Sequence, residues 1–380
     1  MKNSSRSDID PFIVMDVMEA ARRAEASGRH IVHMEVGQPA TPAPAGARAA
    51  LARALEDSPL GYTVALGLPE LRARIARHYA DRHGVTVDPA RVIVTAGASG
   101  AFILAFTALF DAGARVGLGL PGYPSYRQIL RALDLAPVTI ETGESTRFQP
   151  DPAALPAGLD GLIVASPANP TGTILSRDAM AALAMAARAA GTALISDEIY
   201  HGLEYGRRAA SALEVTDEAI VINSFSKYHS MTGWRVGWMV VPEHLIRPVE
   251  RLAQNLFICP PHASQVAALA AMDCDAELEA NRAVYAANRA LLTDGLPKAG
   301  FARLAPPDGA FYIYADVSEH TDDSRALARE ILDSAGVAVT PGADFDPGRG
   351  HRFLRLSYAG GHDEMALGLE RLSAFMAARG

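Results

Sequence analysis

The sequence holds only two cysteines, Cys259 and Cys274, in 380 residues. They show no C-x-x-C or Cys/His spacing, so neither a disulfide framework nor a structural zinc site carries the fold, and no metal site is expected. Long apolar runs are missing too. The longest nearly apolar stretch, Ala179 to Ala187, is about half of what a membrane span needs. Met1 to Ala20 carries Asp8, Asp10, Asp16 and Glu19 without an apolar core, which argues against a secretory signal. A soluble cytoplasmic protein is the expectation. Basic residues are also in deficit: 35 Lys and Arg stand against 43 Asp and Glu, a net charge of -8. That balance gives no electrostatic reason to expect nucleic acid or an anionic membrane as partner. There is no internal repeat and no low-complexity tract beyond Ala-rich helical segments.

What is present is the composition of a globular protein, 49% apolar and 21% charged. A chain of 380 residues exceeds the size at which one core stops growing, so two domains are expected. The middle of the chain alternates short apolar runs with helical stretches. The runs are Arg91 to Thr95, Ala114 to Leu118, Gly161 to Ala165, Ala193 to Ser196 and Ala219 to Asn223. Such alternation predicts an α/β fold with a mainly parallel sheet covered on both faces. Beyond Asp275 the pattern changes to a long helix, Asp275 to Leu296, followed by short strands at Ala310 to Ala315 and Arg352 to Ser357. A helix near Ser324 to Ser334 lies between those strands. The reading is a large domain over 45–275 and a smaller α+β domain from 1–44 with 276–380.

Polar residues and turn formers cluster just past the carboxyl end of each central run, where open α/β sheets place their ligands. Gly97-Ala98-Ser99-Gly100 leads into a helix expected from Ala101, a junction that suits an anion. A plain βα turn with Ser99 as cap, or a serine nucleophile resembling G-x-S-x-G, are the alternatives. Gly117-x-Gly119-x-x-Gly122 matches a dinucleotide fingerprint, but Pro121 and Pro124 bracket its end and no helix start is expected there, so the match is rejected. Tyr123 in that turn could stack on a flat ring. Asp197 ends an apolar run, where an isolated carboxylate needs a cation or serves as a helix cap. Tyr200, three residues on, could donate to the same ligand. Lys227 follows Ser224-Phe-Ser226, with Arg235 eight residues later. That grouping suits either a nucleophilic amine of lowered pKa or a phosphate site. Arg355, inside the apolar Phe353-Leu-Arg-Leu, offers a fork for a carboxylate unless it faces solvent.

Together these residues resemble the class I/II aminotransferases of pyridoxal-phosphate (PLP) fold type I, the group that includes aspartate aminotransferases. The matches are Ser166-Pro-Ala-Asn169-Pro-Thr-Gly172, Asp197-Glu-Ile-Tyr200 and Ser224-Phe-Ser-Lys227-x4-Thr232-Gly-Trp-Arg235. Gly61-Tyr62, Gly67-Leu-Pro-Glu-Leu-Arg72 and Phe353-Leu-Arg355-Leu-Ser357 add to them. The resemblance implies a seven-stranded, mainly parallel sheet and amino transfer from an L-amino acid, aspartate-type or of broad specificity, to a 2-oxo acid. A C–S lyase or an ACC-synthase-like reaction is the alternative on the same scaffold, and a serine hydrolase or a non-catalytic PLP-binding protein is the remote one. It also implies roles. Lys227 would carry the cofactor as a Schiff base, Asp197 would pair with its pyridine nitrogen, and Asn169 and Tyr200 would reach its ring oxygen. Tyr123 would stack on the ring, while Ala98, Ser99, Ser224 or Ser226, and Arg235 would hold its phosphate. Tyr62 would reach the phosphate of a neighbouring subunit in a homodimer. Arg355 and the backbone at Gly37, together with Asn169, would bind the substrate carboxylate. One position departs from the family pattern: Asp346 follows Phe345 where relatives usually carry glycine.

Overall fold

Short apolar runs closed by glycine, proline or polar residues become the strands of the central sheet. The computed structural model describes residues 2–379; Met1 and Gly380 lie outside the described residues. Seven strands form that sheet: β1 (Val92–Thr95), β2 (Arg115–Leu120), β3 (Ala136–Glu141), β4 (Gly161–Ala165), β5 (Ala193–Asp197), β6 (Ile220–Ser224) and β7 (Gly237–Val240). Their order is β1-β7-β6-β5-β4-β2-β3. Only β7 runs antiparallel to its neighbours. The motif runs marked five of these strands, and the strands at Ala136 and Gly237 had no such mark. The first of these is half-polar at an edge, with Ile140 as its one buried residue. The second was absorbed into the tail of the lysine motif.

Side chains alternate between the faces of the sheet, as the pleat requires. Val92, Val94, Leu162, Val164 and Val221 enter one apolar core, and Ile93, Val116, Leu118, Ile163 and Ile222 enter another. Both faces are covered by helices, so every strand except the edge strand β3 is largely buried, as parallel sheets require.

A third core gathers Val32 and Met34 with residues from Leu278 to Met376. Its sheet consists of β8 (Arg303–Leu304), β9 (Tyr312–Asp316), β10 (Thr340–Pro341) and β11 (Phe353–Ser357), antiparallel in the order β10-β11-β9-β8. The segment Val32–His33 pairs with Val337–Ala338 and ties the N-terminal stretch to this body. Tyr200, Leu203, Tyr205 and Tyr228 also belong to this core, although they follow strands of the large sheet. The large sheet's carboxyl edge therefore packs directly against the smaller body, and a cleft forms along that seam.

Two local expectations change. The helix after β1 spans Gly97–Leu109, beginning four residues before the expected Ala101. Gly97 adopts φ +71 there, a left-handed conformation that lets the chain turn from strand straight into helix. Ser99 is therefore in the first turn and is not its cap; the cap position is Ala96, with no side-chain hydrogen bond. A helix also starts at Pro124, two residues past Gly122, where none was expected. Proline fits the first helical position because its missing N–H has no partner there anyway. Gly117 and Gly119 sit inside β2 for packing reasons: a Cβ at Gly117 would lie 2.8 Å from Leu159 Cδ1.

Candidate active site

Every residue nominated above except Tyr62 lines one cleft at the carboxyl ends of β4, β5 and β6. Tyr62 is 84% exposed and stands outside it. Among the described residues no histidine lines the cleft, so Ser99 lacks the histidine–acid pair that a serine nucleophile of this kind uses.

One end of the cleft is built for an anion. The helix Gly97–Leu109 points its uncapped first turn, with Ala98 and Ser99, into it. Arg235, held in the left-handed region at φ 49, lies across that turn. A Cβ at Gly97 would sit 2.4 Å from Arg235 Nη2, so a larger residue would push the guanidinium off this turn. Ser224 Oγ donates to Ser226 Oγ at 2.9 Å, and both line the cleft beside the arginine. Free amide donors, a helix dipole, hydroxyls and a fixed cation together suit a phosphate dianion.

The centre holds Asp197 and Lys227. Asp197 ends β5 and is 3% exposed. No helix follows it, which removes the helix-cap reading. Its Oδ1 accepts from the Ile199 amide at 3.1 Å, and its Oδ2 accepts from the Tyr126 hydroxyl. Burial raises its pKa to about 6, against the lowering effect of Tyr126, Ile199 and the charge of Lys227. A buried carboxylate with so little compensation is matched by a cationic ring nitrogen. Lys227 Nζ donates to the Gly37 carbonyl at 2.6 Å. Burial, with the charges of Arg355 and Arg235, lowers its pKa to about 8, within reach of a free nucleophilic amine. Tyr123 walls this region, its ring edge-on to Tyr126 at 5.4 Å.

The far end belongs to the smaller body. Arg355, in the middle of β11, is 2% exposed, so the solvent-facing alternative fails. It donates to Asn169 Oδ1 at 3.0 Å, to the Glu35 carbonyl and to Thr340 Oγ1 at 3.3 Å. Its guanidinium lies 4.4 Å from the Tyr312 ring and 4.7 Å from the Phe345 ring, a sandwich that fixes the plane of the fork. Its Nε is buried without a partner. Tyr200 and Tyr312 share a hydrogen bond of 2.7 Å between their hydroxyls. Gly37 must be glycine, because a Cβ would lie 1.8 Å from the Tyr312 hydroxyl.

Asp346 shapes the loop beside this end. Its carboxylate accepts from the amides of Gly348 and Arg349 and pairs with Arg349 Nε at 3.0 Å. Arg349 in turn donates to the Leu120 carbonyl at the end of β2. Asp346 and Arg349 thus tie the loop to the large sheet.

Tyr126 and Tyr312 were missed from the sequence. Each signals itself weakly, as a tyrosine in an otherwise buried pattern that needs a partner for its hydroxyl. The apolar side chains of Phe12, Met15 and Met18 at the cleft mouth were also missed. They are far in sequence from any motif.

Pyridoxal phosphate fits these residues: an anion cradle at one end, a buried carboxylate in need of a cation at the centre, and an amine of lowered pKa beside it. Comparison with known proteins gives the same answer. A family model described as aminotransferase class I and II matches residues 29–372. The chain is 49% identical over 378 residues to a valine–pyruvate aminotransferase of Mycobacterium tuberculosis, covering 98% of this chain and 97% of that protein. The solved structure of an aminotransferase from Mycobacterium tuberculosis matches with a TM-score of 0.98 at 48% identity, over 100% of both chains. The aspartate aminotransferase of Thermus thermophilus, solved with maleate, matches at TM-score 0.92 and 32% identity, over 98% of this chain and 100% of that one. The chain belongs to the class I and II aminotransferases, enzymes that move amino groups with pyridoxal phosphate.

Proposed function

We propose the following division of labour in amino transfer from an L-amino acid to a 2-oxo acid. Ala98, Ser99, Ser224, Ser226 and Arg235 hold the cofactor's phosphate. Asp197 would hold a proton on the ring nitrogen, Asn169 and Tyr200 would reach the ring oxygen, and Tyr123 would cover the ring face. When bound, pyridoxal phosphate supplies an electron sink for the charge left at the substrate's Cα once its proton is removed. Lys227 Nζ would anchor the cofactor and, when free, would carry the Cα proton as general base and acid. Its lowered pKa, about 8, keeps a useful fraction of the amine neutral. Arg355 pairs with the substrate carboxylate, and the backbone at Gly37 lies opposite. The observation that carries this reading is the meeting of Lys227 and Asp197, from the large sheet, with Arg355, from the smaller one, in a single cleft.

A homodimer is part of the reading. Tyr62, Val64, Leu256 and Ile258 are all more than half exposed although apolar, and such a patch suits a partner surface. Hydrogen bonds from His262 to the Gly61 carbonyl and from Gln265 to Thr63 join the two segments. Tyr62 would thereby reach the partner's phosphate. A cytoplasmic location fits the two free cysteines.

The test follows the cofactor's absorbance on mixing with amino acids. Amino transfer requires that the spectrum change with an amino donor alone and return on adding a 2-oxo acid. Release of ammonia and a 2-oxo acid without any acceptor would assign the lyase alternative instead.

A further inference from the structure

We infer that Tyr312 is a positioning residue for amino transfer. Its hydroxyl aims the Tyr200 hydroxyl at the cofactor's ring oxygen, and its aromatic face holds the Arg355 fork for the substrate carboxylate. The inference rests on the amino-transfer reading above and adds to it one side chain of the smaller body that serves two parts of the cleft.

The sheet register puts Tyr312 there. In the antiparallel pair of β9 and β11, Tyr314 stands opposite Arg355 and Tyr312 stands opposite Ser357. Tyr312 is therefore the diagonal neighbour of Arg355 on one face of the sheet, within reach of an aromatic side chain. Its ring lies 4.4 Å from the Arg355 guanidinium and edge-on to the Tyr200 ring, with 5.6 Å between those centroids. Tyr312 is buried, so its hydroxyl needs a partner. The 2.7 Å bond to the Tyr200 hydroxyl supplies one, and neither hydroxyl has a second bond among the described residues.

Two hydroxyls carry two donor protons, and the bond between them uses one. The other is left for a group in the cleft, which both tyrosines line. The positive charge of Arg355 beside Tyr312 favours release of the Tyr312 proton, so Tyr312 donates and the Tyr200 proton stays free for the ring oxygen. A hydroxyl that accepts one bond while donating another is the stronger donor, because bonds in a chain polarise one another. The Tyr312 hydroxyl also abuts Gly37, where a Cβ would run into it. The Gly37 carbonyl accepts from Lys227 Nζ at 2.6 Å. Phenylalanine would fill the same volume and stack on Arg355 as well, so the hydroxyl and the aromatic face can be tested apart.

The experiment titrates the absorbance of the holoenzyme against pH without substrate, in the parent, Tyr312→Phe, Tyr200→Phe and the double variant. A donor at the ring oxygen favours the form of the bound cofactor that has lost its proton. Tyr312→Phe should therefore move the midpoint up by about 0.5 pH unit. In the Tyr200→Phe background the same substitution should move it by less than about 0.1 pH unit, since the path through Tyr200 is gone. A side chain that only packs would leave the midpoint in place. No shift in Tyr312→Phe, or an undiminished one in the Tyr200→Phe background, overturns the inference. Tyr312→Leu tests the aromatic face, with alanine, valine, aspartate and glutamate as donors and their own 2-oxo acids for the reverse half. For the pair that the parent uses fastest, both KM values should rise together by about 10-fold, while Tyr312→Phe stays within about 2-fold of the parent. Equal KM values in the leucine and phenylalanine variants overturn the link to Arg355. Failure of all four donors to change the parent's spectrum would remove the amino-transfer reading, and the substrate-free titration would still decide whether Tyr312 acts through Tyr200.

Discussion

The floor and the outer wall of the cleft are made in opposite ways. The floor comes from consecutive motifs at strand ends: Asp197 closes β5, and Ser224 closes β6 three residues before Lys227. The wall comes from Phe12, Met15 and Met18, placed more than two hundred residues before Lys227 and held there by Asp344. Floor residues are polar groups kept where burial is costly, so chemistry constrains each one singly. Wall residues are apolar and adaptable, so each contributes by shape and area, and any one can change at small cost. Substitutions on the floor should therefore cost far more than substitutions on the wall, and four variants on or next to the floor grade that contrast.

Lys227→Ala should cost the most, about 10^4-fold in turnover, because the amine positioned for the Cα proton is gone. Single-turnover kinetics with added cofactor measures it. Borohydride reduction of the parent holoenzyme followed by peptide mapping should put the pyridoxyl label on this lysine. Label on another lysine would remove the assignment and, with it, the primacy of the floor.

Asp197→Asn should lower turnover by about 10^3-fold while still binding cofactor. Its effect on stability runs the other way in protein stripped of cofactor. Burial raises this carboxyl from 3.8 to about 6, so folding favours the protonated form. That contribution is complete below the unfolded value and is lost as pH rises through about 6. Above about pH 7 the buried charge costs on the order of 3 kcal/mol. The variant should then be more stable than the parent in urea titrations above about pH 7 and no more stable below about pH 4. Equal stability across the whole range would mean that Asp197 finds its counter-charge within the chain.

Arg355→Lys keeps the charge but loses the fork and its stacking between Tyr312 and Phe345. KM for amino acid and oxo acid should rise together by about 100-fold, with cofactor affinity unchanged. A rise for one partner alone would separate the two half-reactions and break the single-clamp picture.

Tyr126→Phe is the mildest of the four. It removes the hydroxyl donor to Asp197 Oδ2 and keeps the packing against Phe102 and Tyr123. Losing one hydrogen bond to a charged group is worth about 10-fold in turnover, at the low end of what such bonds contribute. Since that bond lowers the Asp197 pKa, its loss should move the acid limb of the pH–rate profile to higher pH. An unmoved limb would reduce Tyr126 to a packing residue.

Much was legible in the chain alone: the α/β architecture, and the residues that the structure brings together in one cleft at the strand ends. Those signals are local: a strand run ends, and a polar residue follows within a few positions. Asp197, Lys227 and Arg235 stand out because such groups are expensive beside buried strands. Tertiary structure alone decided the rest. That Arg355 faces the cleft rather than solvent depends on how β11 packs between β9 and β10, a choice that alternation cannot make. The start of the helix at Gly97 depends on a left-handed glycine and on the space Arg235 occupies above it. Tyr126 and Tyr312 gain their roles from hydroxyl partners 71 and 112 residues away. The apolar wall exists only because Asp344 draws the helix at Ile13 to the cleft mouth. Long-range packing leaves no periodicity in the chain, since an apolar residue that touches a substrate and one that fills a core obey the same hydrophobic rule.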